Sequence, residues 1–292
     1  MTWNFECVAG PFNSELGGIL WDEGGLVFSL INELQLQKLN PANGSISTFR
    51  SYTGRMNGLA KAKDGSIYAC QDGGRRVIQL QLDGSANVTA TRFEGRIHNH
   101  PYDLCIDSKG RVWFSDPHSA TPAFGPQIFP PLPYASIMRL ERDRIGHWII
   151  KRLSFDTTAP KAILLSSDEK TLFVAENPDD EHLNRELRAY PIEDDGNLGE
   201  FSVLHSFGRD HKGLHAGIHG MCKDSAGQIY ACAGDTKNAR QAAIYQYSSS
   251  GQLLRAIPFP HATPIRCCFA GEDDKHLYIT SSDKSIYRLT LD

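Results

Sequence analysis

No run in this sequence approaches the roughly 18 consecutive apolar residues that a membrane-spanning helix needs, and the opening MTWNFECVAG has neither the basic start nor the apolar centre of a secretion signal. A cytoplasmic protein that makes no membrane contact is expected. Charge of one sign is also scarce: 30 Lys and Arg stand against 34 Asp and Glu, a net charge of -4. That leaves no basic surplus to neutralise a phosphate backbone and excludes nucleic acid as a partner. Cysteine is present but unpaired in pattern. The seven (Cys7, Cys70, Cys105, Cys222, Cys232, Cys267, Cys268) are scattered without a CxxC spacing, which argues against a disulfide framework or a zinc site and for reduced, buried thiols. The adjacent Cys267 and Cys268 point to opposite faces of a strand, so one of them is placed to look into a pocket. Amphipathic helical periodicity is nearly absent, as are a nucleophile elbow, a Walker loop and an HExxH motif. With no heptad and no long exposed apolar strand, a monomer is expected.

What is present is an ordinary globular composition, 40% hydrophobic, 10% aromatic and 22% charged over 292 residues, which suits one large all-β domain spanning 1–292. The pattern within it repeats. DEGGLVFS (22–29), KDGSIYAC (63–70), DSKGRVWF (107–114), SDEKTLFV (167–174), DSAGQIYA (224–231) and DDKHLYIT (273–280) each join a polar tight turn to an alternating apolar run. A short apolar strand precedes every turn (GGILW, NGLAKA, YDLCID, KAILLS, HGMCKD, RCCFAG), and a strand with outward polar alternation follows. Three or four antiparallel strands recurring six times are the blades of a six-bladed β-propeller, and no blade can bury both faces unless the six close into a ring. The leftover FECVAG at the start supplies a strand to the last blade and closes the circle. Two insertions interrupt the repeat: the proline-rich 117–136, with aromatic residues that favour burial, reads as a folded lid, and 207–219 carries His211, His215 and His219.

The repeat serves as a ruler. Counting back 11 or 12 positions from the marker after each turn (Phe28, Tyr68, Trp113, Phe173, Tyr230, Tyr278) reaches Gly17, Asn57, Tyr102, Lys161, His219 and Arg266. Innermost strands line the channel of a closed propeller, so these six side chains are expected to converge on one channel mouth, with Asp103 pointing away.

Six segments in order, LGGILWDEGG, RMNGLAKAKDG, HPYDLCIDSKGRVWFSDP, APKAILLSSDEKTLFVAE, GIHGMCKDSAGQIYACAG and IRCCFAGEDDKHLYIT, resemble the blade motifs of the SMP-30/gluconolactonase/luciferin-regenerating enzyme family over nearly the whole chain. The resemblance implies a six-bladed propeller, a divalent metal (commonly calcium) at the pocket floor, and hydrolysis of lactones, esters or phosphoesters. It also implies metal ligands that are a glutamate before the first inner strand, asparagines opening the third and fourth, and an aspartate opening the fifth. Here those positions read Gly17, Tyr102, Lys161 and His219. None offers a carboxylate or amide oxygen, whereas calcium takes about six to eight oxygen ligands. The family metal is therefore expected to be lost, leaving no cofactor, with Glu15 the one acid nearby. Arg266 replaces a sixth-blade asparagine, and Asn57, in the family-like MNGL, is retained.

The substitutes suggest their own chemistry. Lys161 and Arg266 keep positive charge in the pocket and suit a carboxylate or enolate. Neighbouring cations depress the pKa of Lys161 or His219, letting either act as general base. Tyr102 is placed to donate to a developing oxyanion. Asn57, His100, Glu15, Glu176 and His118 form the expected substrate-binding set. Plainer roles stand beside these: satisfied histidines at 100 and 219, a snorkelling Lys161, an ion pair of Arg266 with Glu15 or Glu176, and structural roles for Asp116 and Glu176. Three functions fit a small-molecule pocket of this kind: metal-independent hydrolysis of a lactone or ester, a metal-free isomerisation or cyclisation, and ligand binding without turnover.

Overall fold

Four of the repeated turns, those at Asp64, Asp107, Asp168 and Asp224, reverse the chain by satisfying backbone N–H groups with their own acidic side chain. The Asp64 carboxylate accepts from the Ser66 amide at 2.9 Å, and Asp107 accepts from the amides of Lys109 and Arg111 at 3.0 and 2.9 Å. The alternating runs on either side then pair as antiparallel strands. A computed structural model describes residues 3–81, 83–120, 122–125, 128–180, 182–210, 213–235, 240–271 and 274–291. Among these there is no helix, and the strands form six four-stranded antiparallel sheets with two additional two-stranded ribbons. The innermost strands are Leu16–Asp22, Met56–Lys61, Leu104–Ile106, Pro160–Leu165, Ile218–Lys223 and Pro264–Ala270. Phe5–Ala9 pairs with Ile286–Thr290 as the outermost strand of the sixth sheet, so the N-terminus closes the ring as expected. The all-β, six-bladed propeller is the observed architecture.

Burial follows from that closure. Six apolar clusters each join neighbouring blades; one packs Tyr230, Cys232, Ile244 and Ile257 of the fifth blade against Leu277, Ile279 and Leu289 of the sixth. Each fully buried leucine or phenylalanine contributes roughly 1.5–3 kcal/mol, and only a closed ring buries both faces of every sheet. Polar ties near the axis supplement this packing. The buried hydroxyls of Ser29, Ser115 and Thr280 donate to the inner-strand carbonyls of Met56, Lys161 and Gly17 on the next blade.

Inner strands carry a repeated irregularity that sets the mouth. Pairing with the second strand skips between Leu16 and Ile19, Met56 and Leu59, Pro160 and Ile163, Ile218 and Gly220, and Pro264 and Arg266. A bulge at this level breaks the strict alternation of faces, so that consecutive residues can both look toward the axis. The register places Gly17, Asn57, Tyr102, Lys161, His219 and Ile265 on the outer level, with Gly18, Gly58, Asp103, Ala162, Gly220 and Arg266 one step deeper.

Two expectations are corrected here. Arg266 is not the sixth mouth residue. The turn after its strand is longer than the others, as the equivalent pairs Ala60–Tyr68 and Cys268–Tyr278 show, so a fixed count stops one residue too deep. Asp103 does not point away either: its Oδ2 lies 2.7 Å from Arg266 Nη1. Around this pair the deeper level is made of small residues, because the strands crowd the axis. A Cβ added at Gly220 would come within 2.5 Å of the Ile265 carbonyl oxygen and 2.7 Å of Arg266 Cδ.

Arg266 is 4% and Asp103 8% exposed. Burial pushes the Asp103 carboxyl above its ordinary range, and the guanidinium and the Ile163 amide offset part of that push. Removing one partner strands the other charge in the axis. Asp103→Ala is expected to lower unfolding free energy by about 3–5 kcal/mol, whereas Asp103→Leu combined with Arg266→Met restores most of the loss, as read by denaturant titration.

Candidate active site

Lys161 follows the proline that opens the fourth inner strand, and the bulge there turns it toward the mouth. Burial lowers its pKa, the Asp179 carboxylate offsets part of that, and the nearby Arg185 and Arg266 add smaller pushes in the same direction as burial. Asp179 stands 3.7 Å away and is fully exposed, so water screens that pair and leaves Lys161 Nζ only loosely held.

On the adjacent blade His219 is half-buried, and desolvation followed by the Lys161 charge brings its pKa down to about 4. The imidazole is therefore neutral near pH 7. It bonds the Gly234 backbone, and its Nε2 is buried without a hydrogen-bond partner. An unsatisfied nitrogen beside an ammonium is costly to keep in a folded protein, which makes it a position built for a ligand or water.

Tyr102, Asn57 and Arg266 form the floor. Arg266 lays its guanidinium 4.4 Å over the Tyr102 ring, and its Nη2 donates to the Tyr102 carbonyl at 3.0 Å and to Asn57 Oδ1 at 3.2 Å. These contacts, with Asp103, engage both terminal nitrogens of the guanidinium and leave its Nε buried without a partner. The residue expected to polarise a substrate carbonyl is instead the brace beneath the residues that face the mouth, and its ion-pair partner is neither Glu15 nor Glu176. Asn57 keeps its Nδ2 for a ligand. Burial raises the Tyr102 pKa, so the phenol stays protonated and can donate.

His100 is held from two sides. The Asp116 carboxylate caps the backbone amides of Asn99 and His100 at 2.9 and 2.8 Å, and the His100 Nδ1 lies 2.6 Å from Asp72 Oδ1. Asp72 also contacts Arg55 Nε at 3.3 Å. The ring of His100 sits 6.3 Å from that of Tyr102, so the two belong to one side of the mouth.

Other expected residues lie elsewhere or do other work. Glu176 is 1% exposed, and its Oε2 accepts from the Thr158 and Ala159 amides and the Thr158 hydroxyl; it shapes the loop that delivers Lys161 and does not face a substrate. Glu15 and His118 are exposed, and Glu15 makes no contact with Arg266. His215 is half-buried, and its amide donates to the Gly208 carbonyl. His211 lies outside the described residues, as do 121, 126 and 127 of the insertion read as a lid. The rest of that insertion is stitched to its surroundings: the Phe124 amide donates to Gly73 O at 2.8 Å, and Leu132 is buried against the second and third blades.

Sequence reasoning missed Asp72 and Arg185. Arg185 opens the third strand of the fourth blade. It adds positive charge beside Lys161, and its Nη1 is buried without a partner. QDGGRR and NRELR read as a turn and a polar strand start, and neither pattern marks a site.

The residues present do not fit a hard divalent cation at the family's metal position. That position holds an ammonium, an imidazole bonded to backbone, a neutral phenol and a glycine, with a guanidinium below, where calcium requires several anionic oxygens. Among the described residues no three His, Cys, Asp or Glu side chains converge as a metal-holding group.

The arrangement has relatives. A 6-deoxy-6-sulfogluconolactonase of Pseudomonas putida is 25% identical over 257 residues, covering 85% of this chain and 76% of that protein. A gluconolactonase structure from Xanthomonas campestris is 25% identical with a TM-score of 0.78, over 99% of this chain and 90% of that one. Regucalcin of Agrobacterium tumefaciens, a calcium-binding protein, shares the fold at 17% identity and a TM-score of 0.72, over 99% and 94%. The family model for the SMP-30/gluconolactonase/LRE-like region matches residues 17–283, and the chain belongs to that family.

Proposed function

We propose that this protein hydrolyses a small lactone or ester at the propeller mouth without a divalent metal, using charge supplied by its own side chains. The observation that carries the reading is the proximity of Lys161 to a neutral, half-buried His219 whose buried Nε2 has no partner. The gluconolactonase names among the relatives support lactone hydrolysis at the level of the family.

In this reading the lactone carbonyl lies against Lys161 Nζ and the Tyr102 hydroxyl. Water attacks the carbonyl carbon while His219 Nε2 takes its proton. The oxyanion is stabilised by the ammonium and the phenol, donors fixed in a site partly closed to water. The imidazolium then returns the proton to the departing ring oxygen, giving a hydroxy acid. Arg266 positions Tyr102 and Asn57 from below, and the His100 ring, held by Asp72, orients the substrate.

The balance of charge at the mouth also favours a substrate bearing an anionic substituent. Arg185 adds positive charge beside Lys161, and the Pseudomonas putida relative is named for a sulfonated sugar lactone. A sulfonate or carboxylate would satisfy Arg185 Nη1.

Four measurements check this. His219 must be neutral to act, and its pKa is brought down to about 4. kcat/KM is therefore expected to hold as pH falls from 7 and to drop only through about 4, with an alkaline limb below the ordinary lysine range set by Lys161. His219→Gln should lose roughly 10²–10⁴-fold in kcat and Lys161→Met about 10²–10³-fold, each with little change in KM. An acid limb near the usual histidine value would remove His219 from the role. Arg185→Met should raise KM for sulfonated or carboxylated lactones while leaving neutral ones unaffected. Turnover of a chromogenic lactone is expected to survive EDTA; loss of activity together with about one equivalent of co-purifying divalent metal would reverse the metal-free reading.

A further inference from the structure

Below the Arg266–Asp103 pair the channel reopens. A cavity of about 220 Å³ extends from Arg266 down to Ile106 and Lys223 and includes Cys105, Cys222, Cys267 and Cys268 in its lining. It is separated from the mouth by the buried pair, and apart from that pair the hydrolysis proposed above uses none of its residues. Four of the seven cysteines of the chain therefore converge on one space.

The thiols are not equivalent. Cys105, Cys222 and Cys268 occupy the same level on the third, fifth and sixth inner strands, facing Trp113, Tyr230 and Tyr278 of their neighbouring strands. Cys267 is one step higher and packs into the cluster between the fifth and sixth blades. Its sulfur lies 3.4 Å from that of Cys222 and 3.4 Å from the Tyr230 carbonyl oxygen. Two sulfurs on adjacent inner strands are thus in van der Waals contact, at a spacing that closes to the roughly 2.05 Å of an S–S bond with a small side-chain rotation.

From this contact and the cavity beside it we infer that Cys222 and Cys267 are a redox-active dithiol, oxidised by a small hydroperoxide to a disulfide that ties the fifth blade to the sixth beneath the active-site floor. No three side chains among the described residues converge as a metal site, which sets the pair apart from a metal cage.

The electrostatics assign the order of events. Hydrogen bonds from the Cys222 and Cys232 thiols, aided by the Arg266 charge, bring the Cys267 pKa down to about 5, whereas burial pushes Cys222 well above its ordinary value. Cys267 is the thiolate and Cys222 the resolving thiol. The Cys267 sulfur attacks one oxygen of hydrogen peroxide: an S–O bond forms, the O–O bond breaks, and hydroxide leaves, becoming water with the proton that Cys267 gave up on ionising. The Cys222 sulfur then attacks the sulfenic sulfur, forming S–S and breaking S–O, and the oxygen departs as water with the Cys222 proton. Two thiols are oxidised and one peroxide is reduced to two waters. In the cytosol, where reductants maintain thiols, such a bond is transient.

The bond joins residues flanking the catalytic level, since Cys267 follows Arg266 and Cys222 lies three residues beyond His219. Oxidation therefore registers next to the brace under Tyr102 and Asn57, although the dithiol stands whether or not hydrolysis is the reaction above it.

The test treats the folded full-length chain, carrying Cys7→Ser to remove the exposed thiol, with hydrogen peroxide. Non-reducing digestion and mass spectrometry follow. The expected result is a linked Cys222–Cys267 peptide pair, two hydrogen atoms lighter than the free peptides and reversed by dithiothreitol. Cys222→Ser should halt at a Cys267 sulfenic acid captured by dimedone, and Cys267→Ser should leave Cys222 unoxidised at the same dose. Melting curves of each variant verify that the comparison is between folded proteins. Free thiols at both positions, a Cys267 linkage to Cys232 or Cys268, or linkage only after denaturation would overturn the inference.

Discussion

The ion pair between Arg266 and Asp103 is the constraint on which the centre of this propeller depends. A guanidinium removed from water is tolerable only with a carboxylate against it and with its remaining N–H groups engaged. Arg266 meets the first through Asp103 and much of the second by reaching across the axis to the Tyr102 carbonyl and Asn57 Oδ1, while its Nε is left buried without a partner. Those contacts come from the second and third blades while the arginine comes from the sixth. The pair therefore does for the axis what the interblade clusters do for the body of the ring, and it adds direction, which apolar packing cannot.

Everything above the pair is oriented by it. The Tyr102 ring is pinned under a cation, and the Asn57 carboxamide is turned by its own oxygen. The positive charge that would otherwise repel Lys161 is largely compensated by Asp103. This last point matters for chemistry: an uncompensated Arg266 would push the Lys161 ammonium toward deprotonation and weaken the one charge that still faces the mouth. Holding the floor and polarising the substrate are thus separate tasks. Here a buried salt bridge performs the first and Lys161 is proposed for the second.

The fold was legible because the physics that builds a blade is local. A turn acid, an alternation of period two and an apolar partner strand recur six times, and no other closed arrangement buries all those faces. The N-terminal strand that closes the ring was legible for the same reason, as an apolar run with no partner of its own. The site was less so. Counting along the repeat found Asn57, Tyr102, Lys161 and His219 because their blades have short turns, and it failed at Arg266 because the sixth turn is longer. Alternation assigned Asp103 to the wrong face because a bulge intervenes exactly where strands meet the mouth. Glu176 looked available from its strand-end position, yet loop amides claim its carboxylate. Asp72 and Arg185 lie on turns and strand starts, whose neighbours are set by tertiary closure and by nothing in the local pattern.

The deeper level of the channel is where these threads meet. Glycine or alanine occupies four of its six positions because strands that converge on an axis leave no room for a Cβ, and the two long side chains that remain fill the opening between them. Such a plug divides one channel into two compartments with opposite chemistry: a wet, cationic mouth above and a thiol-lined pocket below. Cys267 links the two, since it lines the lower cavity, the charge of Arg266 lowers its pKa, and its backbone continues the strand that carries the arginine. A change of covalent state at that sulfur acts on the strand supporting the floor of the mouth, so the crowding that forces small residues around the axis also puts the two compartments in mechanical contact.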